Sequence, residues 1–150
     1  VEVDDQYPYW LYAGQQDNTT ISLPSLPPYN SPSGNLSFWT AVGGCETGPA
    51  VPKPGNPNIV YANCKGRFGV FNKLTGQEKQ YYVGAANIYG HNPKDMKFRF
   101  QRVAPIHVSP HDPNLVYHGS QFLHQTKNDG ETWKIISPDL TDFDQNRQLT

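Results

Sequence analysis

The sequence predicts an all-β fold, and three observations lead to this prediction. The 150 residues include 13 glycines and 14 prolines, and 13% of all residues are aromatic. This composition is typical of short strands joined by many turns. Residues 104–137 contain four short strand patterns with turn residues between them. A strand that follows a proline turn also recurs three times along the chain.

Residues 104–137 are the clearest structural unit in the sequence. Apolar alternation and β-favouring residues predict strands at 104–109, 115–119, 122–126 and 132–136. Prolines, aspartates, asparagines and glycines fill the positions between them, and these residues favour tight turns. Four strands of about five residues, joined by short turns, predict an antiparallel meander.

The recurring strand predicts the architecture. Residues 8–14 (PYWLYAG), 57–63 (PNIVYAN) and 113–119 (PNLVYHG) align, and their tyrosines at positions 12, 61 and 117 are 49 and 56 residues apart. A period of about 50 residues, with about four short strands in each unit, is typical of β-propeller blades. We therefore predict a β-propeller segment of about three four-stranded antiparallel blades.

The repeat also predicts how the chain is divided. The predicted units are blade 1 at about 1–43, blade 2 at about 44–85, an insertion at about 86–102, blade 3 at about 103–138 and a connector at 139–150. The insertion is predicted because that stretch is polar and has no clear period. Propellers usually have about 4 to 8 blades. We therefore expect this chain to be a piece of a longer protein, or to fold against neighbouring chains.

Charge and hydropathy exclude two classes of partner. The 12 lysines and arginines nearly balance the 13 aspartates and glutamates, which argues against binding to nucleic acid. No apolar run approaches the roughly 18 residues that a membrane helix needs, so membrane insertion is not expected. The sequence shows no signal peptide, and we expect that any targeting segment was removed or lies outside these residues.

The turn in the last unit resembles a known motif. Residues 126–133, TKNDGETW, resemble the Asp-box of neuraminidase-type repeats in β-propellers. In that family the box is a structural turn remote from any active site. The family has Asp where this chain has Asn128, but an Asn oxygen can accept the same amide hydrogens. The positions that the resemblance assigns to the turn are Thr126, Asn128, Asp129, Gly130, Thr132 and Trp133.

A wider resemblance covers most of the chain. It is carried by LYAGQQDNTT (11–20), VGGCETG (42–48), NPNIVYA (56–62), KFRFQRVAPIHVSPHDPNLVYHGS (97–120) and ETWKIISPDLT (131–141). These segments resemble the large secreted bacterial β-propeller proteins of the neuraminidase-repeat and sortilin type, many of which bear a glycosyl-hydrolase name. The resemblance implies a secreted, periplasmic or cell-surface location. The chain departs from the family at Cys45, where Gly is usual, and at Cys64, where a small residue is usual.

Propeller geometry predicts which loops share a face. Turns between the second and third strands of a blade lie on the same side as the links between blades. These loops are residues 15–18, 45–47, 63–67, 91–102 and 120–121, and a ligand is expected there. The candidate ligand-binding residues are Gln16, Asp17, Asn18, Glu46, Lys65, Arg67, Arg99, Arg102 and Gln121.

The two cysteines belong to the same end of one predicted blade. Cys45 enters the second blade and Cys64 leaves its second strand. A disulfide between them would stabilise the fold by about 3 kcal/mol and would suit a secreted protein. Two buried free thiols, or a metal or redox role, are the alternatives, although no CxxC spacing is present.

Sequons and histidines suggest weaker sites. Asn18 and Asn35 begin Asn-x-Ser/Thr triplets and are candidate glycosylation sites. His107, His118 and His124 lie on predicted strands of the last blade and could face one another. No carboxylate or cysteine completes a recognisable zinc pattern. We therefore predict neither a metal site nor a cofactor.

Three functions remain open, and recognition of a protein or a glycan is favoured. Exposed rings could stack on sugars or, alternatively, fill the space between blades; the candidates are Trp10, Trp39, Tyr81, Tyr82 and Tyr89. A glycoside hydrolase would need two carboxyl groups about 5 to 9.5 Å apart, for which Asp17 and Glu46 are weak candidates and Asp95 is a third. The Arg-Ile-Pro motif of family sialidases is missing from the sequence. The third possibility is a structural segment of a surface assembly.

Overall fold

The chain folds into antiparallel β-sheets. The computed structural model describes residues 1–28, 38–83, 90–142 and 144–148. Within these ranges, twelve strands form three four-stranded sheets in which every pairing is antiparallel. The predicted all-β fold with three antiparallel four-stranded sheets is confirmed, whereas the propeller arrangement of these sheets stays a prediction.

Each sheet is a meander, because its strands are neighbours in the order in which they occur in the chain. The first sheet contains β1 (Glu2–Val3), β2 (Trp10–Gly14), β3 (Thr20–Pro24) and β4 (Thr40–Ala41). The second contains β5 (Ala50–Lys53), β6 (Asn56–Cys64), β7 (Arg67–Asn72) and β8 (Gln77–Tyr82). The third contains β9 (Ile106–Val108), β10 (Val116–Gly119), β11 (Leu123–Thr126) and β12 (Lys134–Ile135). Two short 3-10 helices are also described, at Pro93–Asp95 and Gln145–Arg147.

The repeat found in the sequence is also a repeat in three dimensions. Tyr12, Tyr61 and Tyr117 each lie on the second strand of their sheet and pair with its first strand. Their partners on that strand are Glu2, Val51 and His107. The three tyrosines therefore occupy equivalent positions in the three sheets.

The second sheet lies between the other two. Strand β5 contacts β1 and β2, while β9 contacts β5 and β6. The core between the first and second sheets contains Tyr12, Val42, Ala50 and Val60. The core between the second and third sheets contains Tyr61, Phe68, Val83, Phe98, Phe100, Ala104, Ile106, Val108 and Val116. Burial of this apolar surface is the main force that holds the sheets together.

A tyrosine hydroxyl joins charged groups across the first interface. Tyr12 is fully buried and donates a hydrogen bond to Oδ2 of Asp4 at 2.9 Å. The same hydroxyl accepts a hydrogen bond from Nζ of Lys73, on the β7–β8 turn of the next sheet, at 3.1 Å. Burial and the neighbouring Asp4 raise the pKa of Tyr12 well above its ordinary value. The hydroxyl therefore stays protonated and links the two sheets.

The second interface repeats this arrangement with the charges exchanged. The Tyr61 hydroxyl donates to Asp129 of the third sheet, and Lys53 of the second sheet lies 3.0 Å from the same carboxylate oxygen. In the first interface, the sheet that carries the tyrosine also supplies the acid, Asp4. In the second interface, the sheet that carries the tyrosine supplies the base, Lys53. Burial raises the pKa of Tyr61, and its hydrogen bond to Asp129 adds to this effect.

The stretch before β9 is more than a polar insertion. The sequence predicts an insertion at 86–102, yet within the described residues 90–102 both Phe98 and Phe100 are buried. Phe100 stacks on the buried His118, with 4.8 Å between the ring centroids. Gly66 leaves room for it, because a Cβ on Gly66 would lie 2.5 Å from the Cβ of Phe100. This part of the insertion therefore belongs to the core.

Candidate functional site

Loops from all three sheets meet on one side of the molecule, and we call this surface the rim (residues 14–18, 44–48, 63–67, 91–102 and 120–121). The backbone of Gly14 lies so close to Gly48 that a Cβ at position 14 would be 2.6 Å from its nitrogen. This contact brings the β2–β3 turn against the link between the first and second sheets. The β2–β3 turn and this link therefore lie side by side.

Buried Asn63 holds several rim loops in place. Its Nδ2 donates to the carbonyl oxygen of Gly48 at 2.6 Å and to that of Arg102 at 3.0 Å. Its Oδ1 accepts from the backbone N–H of Gly66 at 3.0 Å. One side chain therefore fixes the link, the β6–β7 turn and the segment that precedes β9. Sequence reasoning did not single out this residue, since an Asn at a strand end commonly serves its own turn.

The predicted disulfide is present on the rim. Cys45 and Cys64 are bonded, with their Cα atoms 5.1 Å apart, a separation within the usual range. The bond joins the link between the first two sheets to the end of β6. It excludes the alternatives of two free thiols or a metal role for these cysteines.

Glu46 lies between two cations on the rim. Its Oε1 accepts a hydrogen bond from Arg102 at 2.7 Å and lies 3.3 Å from Nζ of Lys65. The hydrogen bond from Arg102, followed by that from Lys65, lowers the pKa of Glu46 below its ordinary value. The carboxylate is therefore ionised at neutral pH and is a poor proton donor.

A second group of polar contacts joins the rim to the connector that follows the third sheet. Arg99 donates to Oδ2 of Asp139 at 2.9 Å and to the hydroxyl of Thr141 at 2.6 Å. Its backbone N–H donates to Oε1 of Gln121 at 2.7 Å, and the Nε2 of Gln121 donates to the carbonyl of Lys97 at 3.0 Å. These bonds place the β10–β11 turn, the segment before β9 and the connector side by side.

A cavity of about 480 Å³ opens between these segments. Its walls combine apolar and cationic side chains from residues 93–102 and from the connector. The lining residues are Pro93, Met96, Arg99, Phe100, Gln101, Arg102, Thr141, Arg147 and Gln148. Its size lies in the range of about 300 to 1,000 Å³ that is typical of small-ligand sites, so the rim has both an open surface and a recess.

Four further rim candidates lie on the β2–β3 turn and at the start of β7. Gln16, Asp17 and Asn18 are exposed on the β2–β3 turn, where Asp17 has a φ of 59° and accepts a hydrogen bond from Nε2 of Gln16 at 2.9 Å. Arg67 is half-buried in β7, opposite Cys64. Among the described residues, no hydrogen bond or ion pair joins Asp17 to Glu46.

The turn that resembles an Asp-box lies at the other end of the third sheet. Oδ1 of Asn128 accepts from the N–H of Thr132 at 3.0 Å and from its hydroxyl at 3.2 Å. The hydroxyl of Thr126 accepts from the N–H of Gly130 at 2.9 Å, and the Trp133 ring packs edge-on against Phe68. The side-chain oxygen of Asn128 thus accepts a backbone amide hydrogen of the turn, as the sequence predicts.

The histidines of the third sheet divide between its two faces. His118 and His124 are cross-strand partners and are both buried, whereas His107 is exposed. The ring nitrogens of His118 face the carbonyl oxygens of Pro105 at 3.0 Å and Gly66 at 3.2 Å. Within the described ranges, no three His, Cys, Asp or Glu side chains form a group that could hold a metal ion.

Two further predictions concern glycosylation and membranes. Asn18 is exposed, and Asn35 lies outside the described residues, so both sequons stay predictions. In the part of the chain that the structure describes, no helix has the length and apolar character needed to cross a membrane.

Comparisons of the chain with family models, with curated proteins and with solved structures gave no match. The resemblance to neuraminidase-repeat and sortilin-type proteins therefore stays a prediction from the residues.

Proposed function

We propose that this chain is a segment of a secreted β-propeller and that it recognises a protein or a glycan through the rim. The observation that carries the proposal is the convergence of loops from three sheets on one surface. That surface is fixed by the Cys45–Cys64 disulfide and by Asn63, and it contains a recess with three arginines. Loops held by a rigid scaffold are the usual place for binding residues.

The contacts between sheets support the propeller part of the proposal. The first strands of the three sheets, β1, β5 and β9, contact one another in sequence, as the first strands of neighbouring blades would around a common axis. Tyr12 and Tyr61 each bond to a turn of the following sheet. The disulfide supports the secreted location, because such bonds persist in oxidising compartments.

Binding accounts for the geometry of Glu46 better than glycoside hydrolysis does. A glycosidase needs a carboxyl group that is protonated near neutral pH, which requires a raised pKa. Arg102 and Lys65 lower the pKa of Glu46, so this residue is unsuited to donate a proton. An ion-paired carboxylate on a loop surface is better suited to orienting basic side chains toward a ligand.

A charge reversal on the rim tests the proposal. The wild-type protein is screened on a glycan array and on a panel of purified extracellular proteins, and each hit is repeated with Arg102→Glu. The variant is expected to bind at least about tenfold more weakly, because Glu at 102 repels Glu46 and removes a rim cation. The matched control is Lys134→Glu, which makes the same charge change at an exposed residue of β12. Equal binding by both variants, or no hit in either screen, would contradict the proposal.

A second candidate function, a structural segment of an assembly, is favoured by the outer face of the first sheet. The pairing of β1, β2 and β3 places Val3, Leu11 and Leu23 on the face opposite Tyr12, and Val3 is 53% exposed. An apolar sheet face is a surface on which another sheet can pack. The molecular mass in solution tests this candidate, since a stable monomer would count against it.

A further inference from the structure

A larger cavity lies at the end of the second sheet that is remote from the rim. It has a volume of about 770 Å³ and is bounded by β6, β7, β8, the β7–β8 turn and the β11–β12 turn of the third sheet. Because successive turns of a meander lie at alternate ends, the β7–β8 turn and the β6–β7 turn of the rim are at opposite ends of the sheet. The cavity is therefore a separate surface from the rim.

The floor of the cavity is apolar and includes one aromatic ring. Ile59, Val70 and Tyr81 line it, and all three are partly buried and pack against the core between the second and third sheets. They come from three neighbouring strands, so their side chains form a continuous platform that the core holds in place. A half-exposed ring on such a platform offers contact area at little entropic cost.

Two asparagines at equivalent turns line the cavity with hydrogen-bond donors. Oδ1 of Asn72 accepts from the N–H of Leu74 at 2.9 Å, and Oδ1 of Asn128 accepts from the N–H of Thr132 at 3.0 Å. These bonds fix which side-chain atom is the oxygen. Within the part of the chain that the structure describes, neither Nδ2 has a hydrogen-bond partner. The turns thus hold two side-chain NH2 groups at the cavity, and no described residue accepts a hydrogen bond from either.

The exposed side of the cavity carries charges of both signs. Nζ of Lys79 lies 4.0 Å from Oε1 of Glu131, and the side chains are 74% and 60% exposed. A pair this exposed contributes little to stability and can exchange its contact for a ligand. Gln77 and Thr75 add amide and hydroxyl groups beside it. The lining also includes the acids Glu78 and Asp129, and Asp129 is paired with Lys53. The cavity therefore offers donors and acceptors and has no excess of positive charge that would favour an acidic sugar.

We propose that this cavity binds a neutral oligosaccharide. A sugar ring has an apolar C–H face that fits the platform formed by Tyr81 and its aliphatic neighbours. Its hydroxyl groups both donate and accept, which matches the N–H donors of Asn72 and Asn128 and the Lys79–Glu131 pair. The volume lies in the range of about 300 to 1,000 Å³ that small-ligand sites have.

The test uses four neutral trisaccharides as probes, composed of glucose, galactose, mannose or N-acetylglucosamine. Each is titrated into the isotope-labelled protein while the backbone amide signals are followed by NMR. At least one probe is expected to give saturable shifts at Thr75, Lys79 and Glu131. The double variant Lys79→Ala/Glu131→Ala is expected to weaken that binding by about tenfold or more, because two hydrogen-bonding groups are lost.

The controls separate this site from the rim and from loss of folding. Glu2→Ala/Lys134→Ala removes an exposed acid and an exposed base elsewhere and should leave the affinity unchanged. Gln77→Ala removes one exposed amide and should weaken binding without affecting thermal unfolding. In the rim variant Arg102→Glu, the shifts at the cavity residues Thr75, Lys79 and Glu131 should saturate at the same sugar concentration as in the wild type, whatever happens at the rim. The proposal is overturned if none of the four sugars gives saturable shifts, or if the shifts persist undiminished in Lys79→Ala/Glu131→Ala.

Discussion

The state of Glu46 depends on its two cationic neighbours. Arg102 and Lys65 share Oε1 of Glu46 at 2.7 and 3.3 Å, and both are partly exposed. Because hydrogen bonds to a carboxylate favour its ionised form, the pKa of Glu46 lies below its ordinary value. The rim therefore presents a clustered set of charges and no proton donor at this position.

Replacement of Arg102 should change the pH titration of Glu46. Arg102→Met is expected to raise the pKa of Glu46 toward its ordinary value, since Arg102 is the main cause of the lowering. The side-chain carboxyl carbon of Glu46, followed by NMR as a function of pH, reports this directly. Arg147→Met changes an arginine that pairs with Asp142 and Asp144 instead, and should leave the titration unchanged. An identical curve for Arg102→Met and the wild type would show that the contact is not maintained in solution.

Buried His124 should make the fold sensitive to acid. Burial, followed by the nearby His118, lowers the pKa of His124 to about 4, whereas the unfolded chain has a histidine pKa of about 6.5. The unfolded state thus binds the extra proton first as the pH falls. The stability due to neutral His124 is complete above about pH 6.5 and is lost as the pH falls toward 4, a change of about 3 kcal/mol.

Urea unfolding of the wild type and of His124→Phe as a function of pH measures this effect. The variant retains a ring among Phe98 and Phe100 but cannot titrate, so its free energy of unfolding should fall less between neutral and acidic pH. The control His107→Phe alters an exposed histidine. Its free energy of unfolding should change with pH as that of the wild type does. Parallel curves for the wild type and His124→Phe would contradict the argument.

At the scale of single elements, the β11–β12 turn shows what one side-chain oxygen contributes. Oδ1 of Asn128 accepts from the N–H and the hydroxyl of Thr132 and from the hydroxyl of Thr126. Asn128→Ala removes this acceptor and is expected to lower the free energy of unfolding by about 1 to 2 kcal/mol. Asn128→Asp keeps the acceptor and is expected to stay close to the wild type in the same denaturation experiment. A loss in Asn128→Asp as large as in Asn128→Ala would show that the oxygen is not what stabilises the turn.

Much of the element structure could be predicted from the sequence because it is local. Alternating apolar residues bounded by proline and glycine turns predicted three antiparallel four-stranded sheets, and the aligned tyrosines Tyr12, Tyr61 and Tyr117 do occupy equivalent positions. The cysteine pair was also predicted, since both cysteines map to one end of one sheet. These features depend on residues close in sequence or on a repeated pattern.

Features that depend on contacts between distant segments were not predicted. Phe98 and Phe100 alternate with polar residues over too short a stretch to define a strand. They are buried because residues of the second and third sheets pack against them. Asn63 joins three loops that are up to 39 residues away along the chain. The cavity that Asn72 and Asn128 line exists only because two turns of different sheets meet. The hydrophobic periodicity of the sequence does not indicate which turns of different sheets lie together.

At the scale of the whole molecule, the sheets are joined in series by their tyrosines. Tyr12 connects the first sheet to Lys73 of the second, and Tyr61 connects the second to Asp129 of the third. Tyr61→Phe removes the hydrogen bond to Asp129 and leaves that partly buried acid with one partner fewer. The free energy of unfolding is expected to fall by about 1 to 3 kcal/mol.

The equivalent change in the third sheet provides the control. Tyr117→Phe alters a tyrosine that lies in the same position of its sheet but is not part of either inter-sheet core, and its effect in urea unfolding should be smaller. If Tyr61→Phe and Tyr117→Phe lowered the free energy of unfolding by the same small amount, the Tyr61 hydroxyl would not be what joins the second and third sheets.

The three similar sheets pack in the order in which they occur in the chain, and their loops meet at the rim. Nuclear Overhauser contacts from the rings of Tyr12 and Tyr61 to methyl groups test this order. Contacts are expected from Tyr12 to methyls of the second sheet and from Tyr61 to methyls of the third. Contacts from Tyr61 to the first sheet, or from Tyr12 to the third, would contradict it.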